Sequence, residues 1–118
     1  GEAPHRAILA TGGDGTLRTR IPDIVRQLPW PEGFTARIRR NAFTERWHGC
    51  EDALREAAAV EGPRYREAFE AGDPDHTAVW SGEAAGLVHP IEPAALIIKR
   101  MVAEAVKRLC VRAGAKLD

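Results

Sequence analysis

The stretch 16–49 constrains the fold more than any other part of the chain, because it fits neither a clean helical nor a clean strand pattern. It follows the glycine run 12–15 and is dense in Arg, Trp and Pro. Pro29 and Pro31 on either side of Trp30 exclude a helix interior and favour an extended segment. A plain core element uses simpler residues in a regular pattern, so we expect the function to depend on this stretch.

Length and composition bound the class of protein. A chain of 118 residues fits one domain, whereas a complete α/β barrel needs about 250 residues. Acidic and basic residues balance, 17 of each, so the overall charge predicts neither a nucleic-acid partner nor a membrane partner. The chain opens on Gly1 and its single methionine is Met101, so we expect a fragment or a processed piece of a longer protein.

The cysteines and the apolar runs favour a cytoplasmic protein. Cys50 and Cys110 are far apart and lack the spacing of a zinc site, so reduced thiols are the simplest interpretation. No run approaches the roughly 20 apolar residues of a membrane span, and no signal-peptide pattern is present. We therefore expect a cytoplasmic protein with no bound metal.

The periodicity predicts a mainly α fold with a short β segment. The predicted elements are a helix over 2–10, a half-exposed strand over 17–21 that Pro22 ends, an extended segment over 24–31, a helix over 35–47 that Gly49 ends, a helix over 51–60, and, after Gly62 and Pro63, a further helix that Gly72 closes.

The last part of the chain holds the strongest pattern. Pro93 is a favoured first-turn residue, and an amphipathic helix is predicted to run from there to about Ala113. Its apolar face consists of Ala94, Ile97, Ile98, Met101, Ala105 and Leu109. Between the helices, the segment 73–88 mixes small residues with Trp80, as a chain does when its backbone passes close to something bulky.

Several residues are candidates for binding. The glycine run 12–15 lacks the spacing of a phosphate-binding loop and predicts a turn. The bases between 18 and 46 outnumber the acids, so this arginine-rich segment either holds a phosphate or carboxylate or forms a solvated face paired with Asp23, Glu32 and Glu45. Aromatic residues interleave with these arginines, a pattern of RNA binding, although core packing is the better interpretation of the rings.

The histidines and Cys50 give no catalytic pattern. His5, His48, His76 and His89 are scattered without a nucleophile and an acid in a readable order. Glu83 lies among small residues, where it either hydrogen bonds a ligand or is an exposed turn carboxylate.

Two motifs together resemble the C-terminal portion of the nitronate monooxygenases, formerly called 2-nitropropane dioxygenases. The first is the threonine- and arginine-rich run from Thr16, with an arginine-rich stretch, 37–43, that ends in Asn and Phe. The second is an aromatic-x-Gly-Glu-x-x-Gly motif that begins at Trp80. The resemblance covers nearly the whole chain, from about His5 onward.

The resemblance implies an FMN-dependent (β/α)₈ TIM-barrel enzyme, a flavoprotein oxidoreductase that oxidises alkyl nitronates with O₂. Residues 1–118 are then its C-terminal fragment, with a cap or insert over 16–90 and a final helix over 92–113 that pack on the rest of the barrel. The family's catalytic histidine and phosphate loops have no counterpart here, so no catalytic residue is assigned and the fragment is expected to be inactive alone.

The resemblance also implies site residues, with FMN bound mainly by the barrel. The cofactor-lining residues are Trp80, Ser81, Gly82, Glu83 and Gly86, and the substrate rim or the anchor of the cap consists of Arg18, Arg20 and Arg37. Many members have Gln at the position of Glu83, so a glutamate there would put a negative charge near the flavin edge.

Two alternatives remain open. Related flavin enoyl reductases and quinone reductases share the barrel and a similar tail. A stand-alone helical module could instead use the arginine-rich segment to bind nucleic acid or an acidic partner, and its affinity would then fall steeply with salt.

Overall fold

A computed structural model describes residues 2–88 and 90–112. The elements are the helices α1 (Glu2–Leu9), α2 (Ile21–Val25), α3 (Ala42–Trp47), α4 (Glu51–Ala71) and α5 (Ala94–Arg112), the strands β1 (Thr16–Thr19) and β2 (Ala36–Arg39), and two 3-10 turns, Gly13–Gly15 and Glu83–Leu87. The predicted mainly α fold with a short β segment is confirmed.

The two strands form an antiparallel pair, here called the hairpin, whose long connection contains α2. Leu17 pairs with Ile38 in the register, and both side chains are buried. The predicted helix over 35–47 is therefore wrong in its first part, because pairing with β1 outweighs local helical preference over 36–39. The helix begins only after Asn41, whose side chain and that of Thr44 form a reciprocal capping box. Gly49 lies just beyond the end of α3 with a φ of +85°, as the prediction of a stop requires.

Helix α2 is not predicted from the sequence, because the predicted strand extends to Ile21 and the segment from Ile24 onward is predicted to be extended. The strand instead ends at Thr19. Pro22 lies in the first turn of α2, where its missing N–H is not needed by the helix. Ile21, Ile24 and Val25 are buried by this turn of helix. The Pro-Trp-Pro stretch, predicted to be extended, lies after the end of α2 and belongs to no helix or strand.

Helix α4 is continuous, so the predicted break at Gly62 and Pro63 is wrong. Pro63 lacks the N–H that would bond to the carbonyl of Ala59, and the helix is maintained by packing around it. A Cβ on Gly62 would lie 3.2 Å from the carbonyl oxygen of Val25, so this glycine permits α2 to approach α4 closely. The predicted stop at Gly72 is confirmed, with a left-handed φ of +70°.

The core lies between α2, the hairpin, α3 and α4. Its members are Ile21, Ile24, Val25, Ile38, Phe43, Trp47, Leu54, Tyr65 and Ala78. The rings of Phe43 and Tyr65 are 5.2 Å apart between centroids and tilted by 55°, a favourable aromatic arrangement. Trp47 and Phe43 therefore belong to the core, as the packing interpretation expected. The same interpretation is wrong for Trp30 and Phe34, whose rings are exposed.

Helix α5 is present as predicted over its described length and directly follows Pro93. None of its residues is buried, and its apolar side chains, among them Ile98 and Leu109, are exposed. An ion pair of 2.8 Å between Arg100 and Glu92 joins it to the residues just before it. The apolar face thus has no partner within the described part of the chain, and position 113 lies outside that part.

Candidate functional site

The two motif segments lie side by side. Trp80 forms an isolated antiparallel bridge with Ile38, and the N–H of Ser81 donates to the carbonyl of Arg37 at 3.3 Å. On the other side of the bridge the N–H of Arg39 donates to the carbonyl of Val79 at 2.9 Å. The segment that starts at Trp80 therefore extends the hairpin along the free edge of β2.

An ion pair links the motifs through their side chains. Arg37 donates from Nη2 to Oε1 of Glu83, and from Nη1 to the hydroxyl of Thr16 at 3.2 Å. The Arg37 side chain is largely shielded, while that of Glu83 is mostly exposed. The negative charge of Glu83 is therefore paired within the chain, which weakens its influence on any group placed beside it.

The two 3-10 turns interlock at their glycines. A Cβ on Gly86 would lie 2.8 Å from the backbone nitrogen of Gly13, closer than real Cβ contacts allow. The bulky neighbour that the small residues of 73–88 indicated is thus, at Gly86, the backbone of the first turn. The glycine run itself forms the expected turn, with the N–H of Gly15 donating to the carbonyl of Gly12 at 2.9 Å.

Arg18 and Arg20 hold the loop between α2 and β2. Arg18 donates from Nε to the hydroxyl of Thr35 at 3.0 Å, and Arg20 donates to the carbonyl of Trp30 at 3.4 Å. Of the two roles expected for these arginines, shaping a rim or anchoring the cap, these contacts favour the anchor.

The rest of the arginine-rich segment is also largely paired. Arg39 bonds Asp75 at 3.1 Å, Arg40 lies 3.8 Å from Glu45, and Arg46 lies 3.5 Å from the buried carboxylate of Glu61. Arg46 also covers the ring of Trp47 at 4.6 Å. Of the acids expected as partners, Glu45 forms an ion pair, while Asp23 and Glu32 form none with residues that the structure describes.

A cleft of about 680 Å³ opens between the end of α2 and the face of α4. The aromatic side chains of Tyr65, Phe69 and Trp80 line it together with Arg26 and Arg66. A second cleft of about 410 Å³ lies on the other side of Trp80, beside Trp30 and Phe34. No local signal could have joined these residues, because they come from three separate segments that only the tertiary structure brings together.

The histidines that the structure describes, His5, His48 and His76, form no catalytic arrangement. Nδ1 of His76 lies 2.7 Å from Oδ2 of Asp73, and hydrogen bonds from the N–H of Asp75 and from His76 lower the pKa of the Asp73 carboxyl. His48 lies 3.7 Å from Glu51, while Cys50 is exposed. His89 lies outside the described residues. Within residues 2–88 and 90–112, no three metal-ligating side chains converge.

Of the expected flavin-lining residues, Trp80 and Gly82 are accessible. The side chain of Trp80 is half exposed, and a Cβ on Gly82 would meet only the nitrogen of Ala84 at 3.9 Å. Glu83 and Gly86 are engaged within the chain. A phosphate cradle would have to come from other residues, as the resemblance also implies.

No protein-family model, curated protein or solved structure matches this chain. In the described ranges, no helix has both the length and the apolar character that crossing a membrane requires.

Proposed function

We propose that this chain is the C-terminal cap and final helix of a cytoplasmic, FMN-dependent barrel enzyme that oxidises alkyl nitronates with O₂, and that the chain is inactive alone. The proposal rests on the resemblance of its two motifs to nitronate monooxygenases. The observation that carries it is the apolar face of α5, which has no partner in the described chain.

The exposed apolar face of α5 supports the hypothesis that the chain is part of a larger protein. The large apolar side chains of this helix that remain exposed are Leu96, Ile97, Ile98, Met101, Val102, Val106, Leu109 and Val111. An exposed apolar surface of this kind marks an interaction site. The outer wall of a barrel, whose helices pack against one another, is a natural partner for such a helix.

The contact between the two motifs supports the hypothesis that they form a cap over the active site. The ion pair of Arg37 with Glu83 and the bridge of Trp80 with Ile38 make one surface from segments more than 40 positions apart. Active sites of barrels lie at the C-terminal ends of the strands, where a following segment can close over the cofactor. Trp80 and Gly82 would form a wall that excludes water, and Glu83 would be held in place by Arg37.

In this proposal the cofactor and the residues of the chain have different roles. Bound FMN would supply the redox chemistry between the nitronate and O₂. The residues of this chain would position and enclose the cofactor and the substrate, and none of them is assigned a proton transfer. Arg18 and Arg20 bond to Thr35 and Trp30 and so anchor the loop over 26–35.

The alternatives differ in what they require. A related flavin enoyl reductase or quinone reductase would use the same cap with another substrate, so only turnover distinguishes them. A stand-alone module that binds nucleic acid needs unpaired arginines, whereas Arg37, Arg39 and Arg40 are paired with acids. The paired charges disfavour that module.

The test is to clone the open reading frame that encodes this chain, with any sequence that adjoins it, and to purify its product. The proposal expects roughly 200 residues of alternating strands and helices ahead of Gly1, a flavin absorbance spectrum, and O₂ consumption with propyl-2-nitronate. Turnover of an enone or a quinone with a reduced nicotinamide, and none of the nitronate, would favour the reductases. A product without flavin would overturn the proposal.

Variants locate the cap. Trp80→Ala and Glu83→Ala should lower nitronate turnover or flavin content, whereas Val60→Ala serves as a control because Val60 lies on α4 outside both motifs and is exposed. If both cap variants match the wild type, the placement of 80–86 against the flavin is wrong even where the enzyme activity is found.

A further inference from the structure

Apart from Trp80, the larger cleft, beside α4, is lined by residues that the proposed function does not use. Its volume of about 680 Å³ falls within the range of small-molecule sites, roughly 300–1,000 Å³. The rings of Trp80, Tyr65 and Phe69 contribute to it, with Pro63 and short alanine side chains between them. A planar apolar group would find aromatic surface on more than one side.

The charged side chains that line the cleft are all positive. Arg26 and Arg66 line it, and no Asp or Glu does. Both side chains are exposed, and neither forms an ion pair with any residue in the described ranges. Arg64, two positions before Arg66, is by contrast bonded to Glu61 at 2.9 Å. Two guanidinium groups without an ion pair in the described ranges therefore line an aromatic cleft, while the acid Asp23 lines the adjoining cleft together with Arg26.

A strained residue lies at the same place. Gln27 lines the cleft and has a φ of +54°, in the left-handed region that residues other than glycine rarely adopt. This conformation turns the chain directly after Arg26, at the end of α2. Backbone strain of this kind is concentrated at binding sites, where surrounding contacts maintain it.

We propose that this cleft binds a small organic anion with a planar apolar body, of the class of aromatic carboxylates. Arg26 and Arg66 hold the carboxylate, because a guanidinium group offers two parallel N–H donors to it. Trp80 and Phe69 contact the ring. All of these residues belong to the chain itself, so the site does not depend on the barrel.

The test uses the 118-residue chain, 2-naphthoate as the probe and neutral 2-naphthamide as its matched control. Calorimetry should give an affinity about ten-fold or more higher for the carboxylate, as expected from hydrogen bonds to a charged group. In a two-dimensional NMR spectrum the indole N–H signal of Trp80, assigned with Trp80→Phe, should shift on addition of either compound.

Variants of the lining residues separate the contribution of the ligand's carboxylate to binding from that of its ring. Arg26→Gln and Arg66→Gln should each weaken binding of 2-naphthoate about five-fold or more, and the double variant should bind both compounds alike. Arg55→Gln is the control, because Arg55 lies on α4 outside this cleft and should not change the affinity. Phe69→Ala should weaken binding of both compounds, since it removes an exposed ring and leaves the core intact.

Three results would overturn the proposal. They are equal affinity of the wild type for the carboxylate and the amide, a double arginine variant that binds 2-naphthoate as the wild type does, and no binding by a chain that unfolds cooperatively and so is folded.

Discussion

The phenol oxygen of Tyr65 accepts a hydrogen bond from the backbone N–H of Ala78 at 3.1 Å. This bond ties the segment that leads into Trp80 to the middle of α4. Both residues are buried, so the N–H of Ala78 would have no water to bond if the hydroxyl were removed. The position of the second motif is therefore fixed by α4 as well as by β2.

Tyr65→Phe should lower the free energy of unfolding by about 1–3 kcal/mol, because it leaves a buried N–H unsatisfied while it keeps the ring in the core. Urea unfolding followed by circular dichroism measures the change. Phe69→Leu on the same helix is the control, because Phe69 is exposed and its loss should cost little. An unchanged stability in Tyr65→Phe would mean that Ala78 finds another acceptor.

Stability should decline at alkaline pH through the same residue. Burial raises the pKa of Tyr65 above its ordinary value of 10.0, although the bond from Ala78 acts in the opposite direction. Because the phenol ionises more easily in the unfolded chain, its contribution is fully present below about pH 10 and is lost as the pH rises through the folded pKa.

The alkaline effect can be assigned directly, because Tyr65 is the single tyrosine of the chain. Phenolate absorbance of the native protein should titrate above the midpoint measured in urea. The Tyr65→Phe protein should lose this part of the decline in stability. Coincident titration midpoints in the folded and unfolded chains would contradict the assignment.

Gly86→Ala should destabilise the protein by about 1–3 kcal/mol, since the added methyl group meets the backbone nitrogen of Gly13 and the two turns must separate. Gly12→Ala is the matched control, because a Cβ there has open space and the backbone is extended. Thermal unfolding of the two variants gives the comparison. Equal midpoints would show that the turns do not interlock in solution.

Asn41 has two functions that substitution can separate. Its Oδ1 accepts from the N–H of Thr44 at 2.9 Å, and its Nδ2 donates to the carbonyls of Pro74 at 2.9 Å and Thr77 at 2.6 Å. Asn41→Asp keeps the cap acceptor but turns an oxygen towards the two carbonyls. We expect a loss of about 2 kcal/mol or more.

Asn41→Ala, which removes both functions, provides the reference for that loss. Unfolding by urea should place the aspartate variant near the alanine variant. If the aspartate variant instead retained wild-type stability, the cap alone would account for the contribution of Asn41, and the bonds to Pro74 and Thr77 would contribute nothing.

Local signals predicted the elements that local interactions determine. Pro93 and the apolar spacing identified α5, and Gly49 and Gly72 marked helix ends, because each effect acts within one turn of chain. The strand β2 was missed, since its preference depends on pairing with β1, about 20 residues earlier. The continuity of α4 through Pro63 likewise depends on α2 packing at Gly62.

The candidate site divides in the same way. Trp80, Glu83 and Gly86 are identified by a compact motif and Arg37 by the first motif. The pairing of Glu83 with Arg37 and the contact of Gly86 with Gly13 are evident only from the tertiary structure. Arg26 and Arg66 carry no local mark that distinguishes them from other surface arginines. Their importance lies in what surrounds them and in the acids that are absent from the cleft lining.

The exposed face of α5 also determines the molecularity of unfolding. Each buried Leu, Ile or Met contributes roughly 1.5–3 kcal/mol, so covering Ile98, Met101 and Leu109 would add about 5–9 kcal/mol to whatever complex forms. If a second molecule supplies the cover, the melting temperature rises with protein concentration. If the surface that covers this face belongs to the same polypeptide, unfolding is unimolecular. Dilution then leaves the melting temperature unchanged.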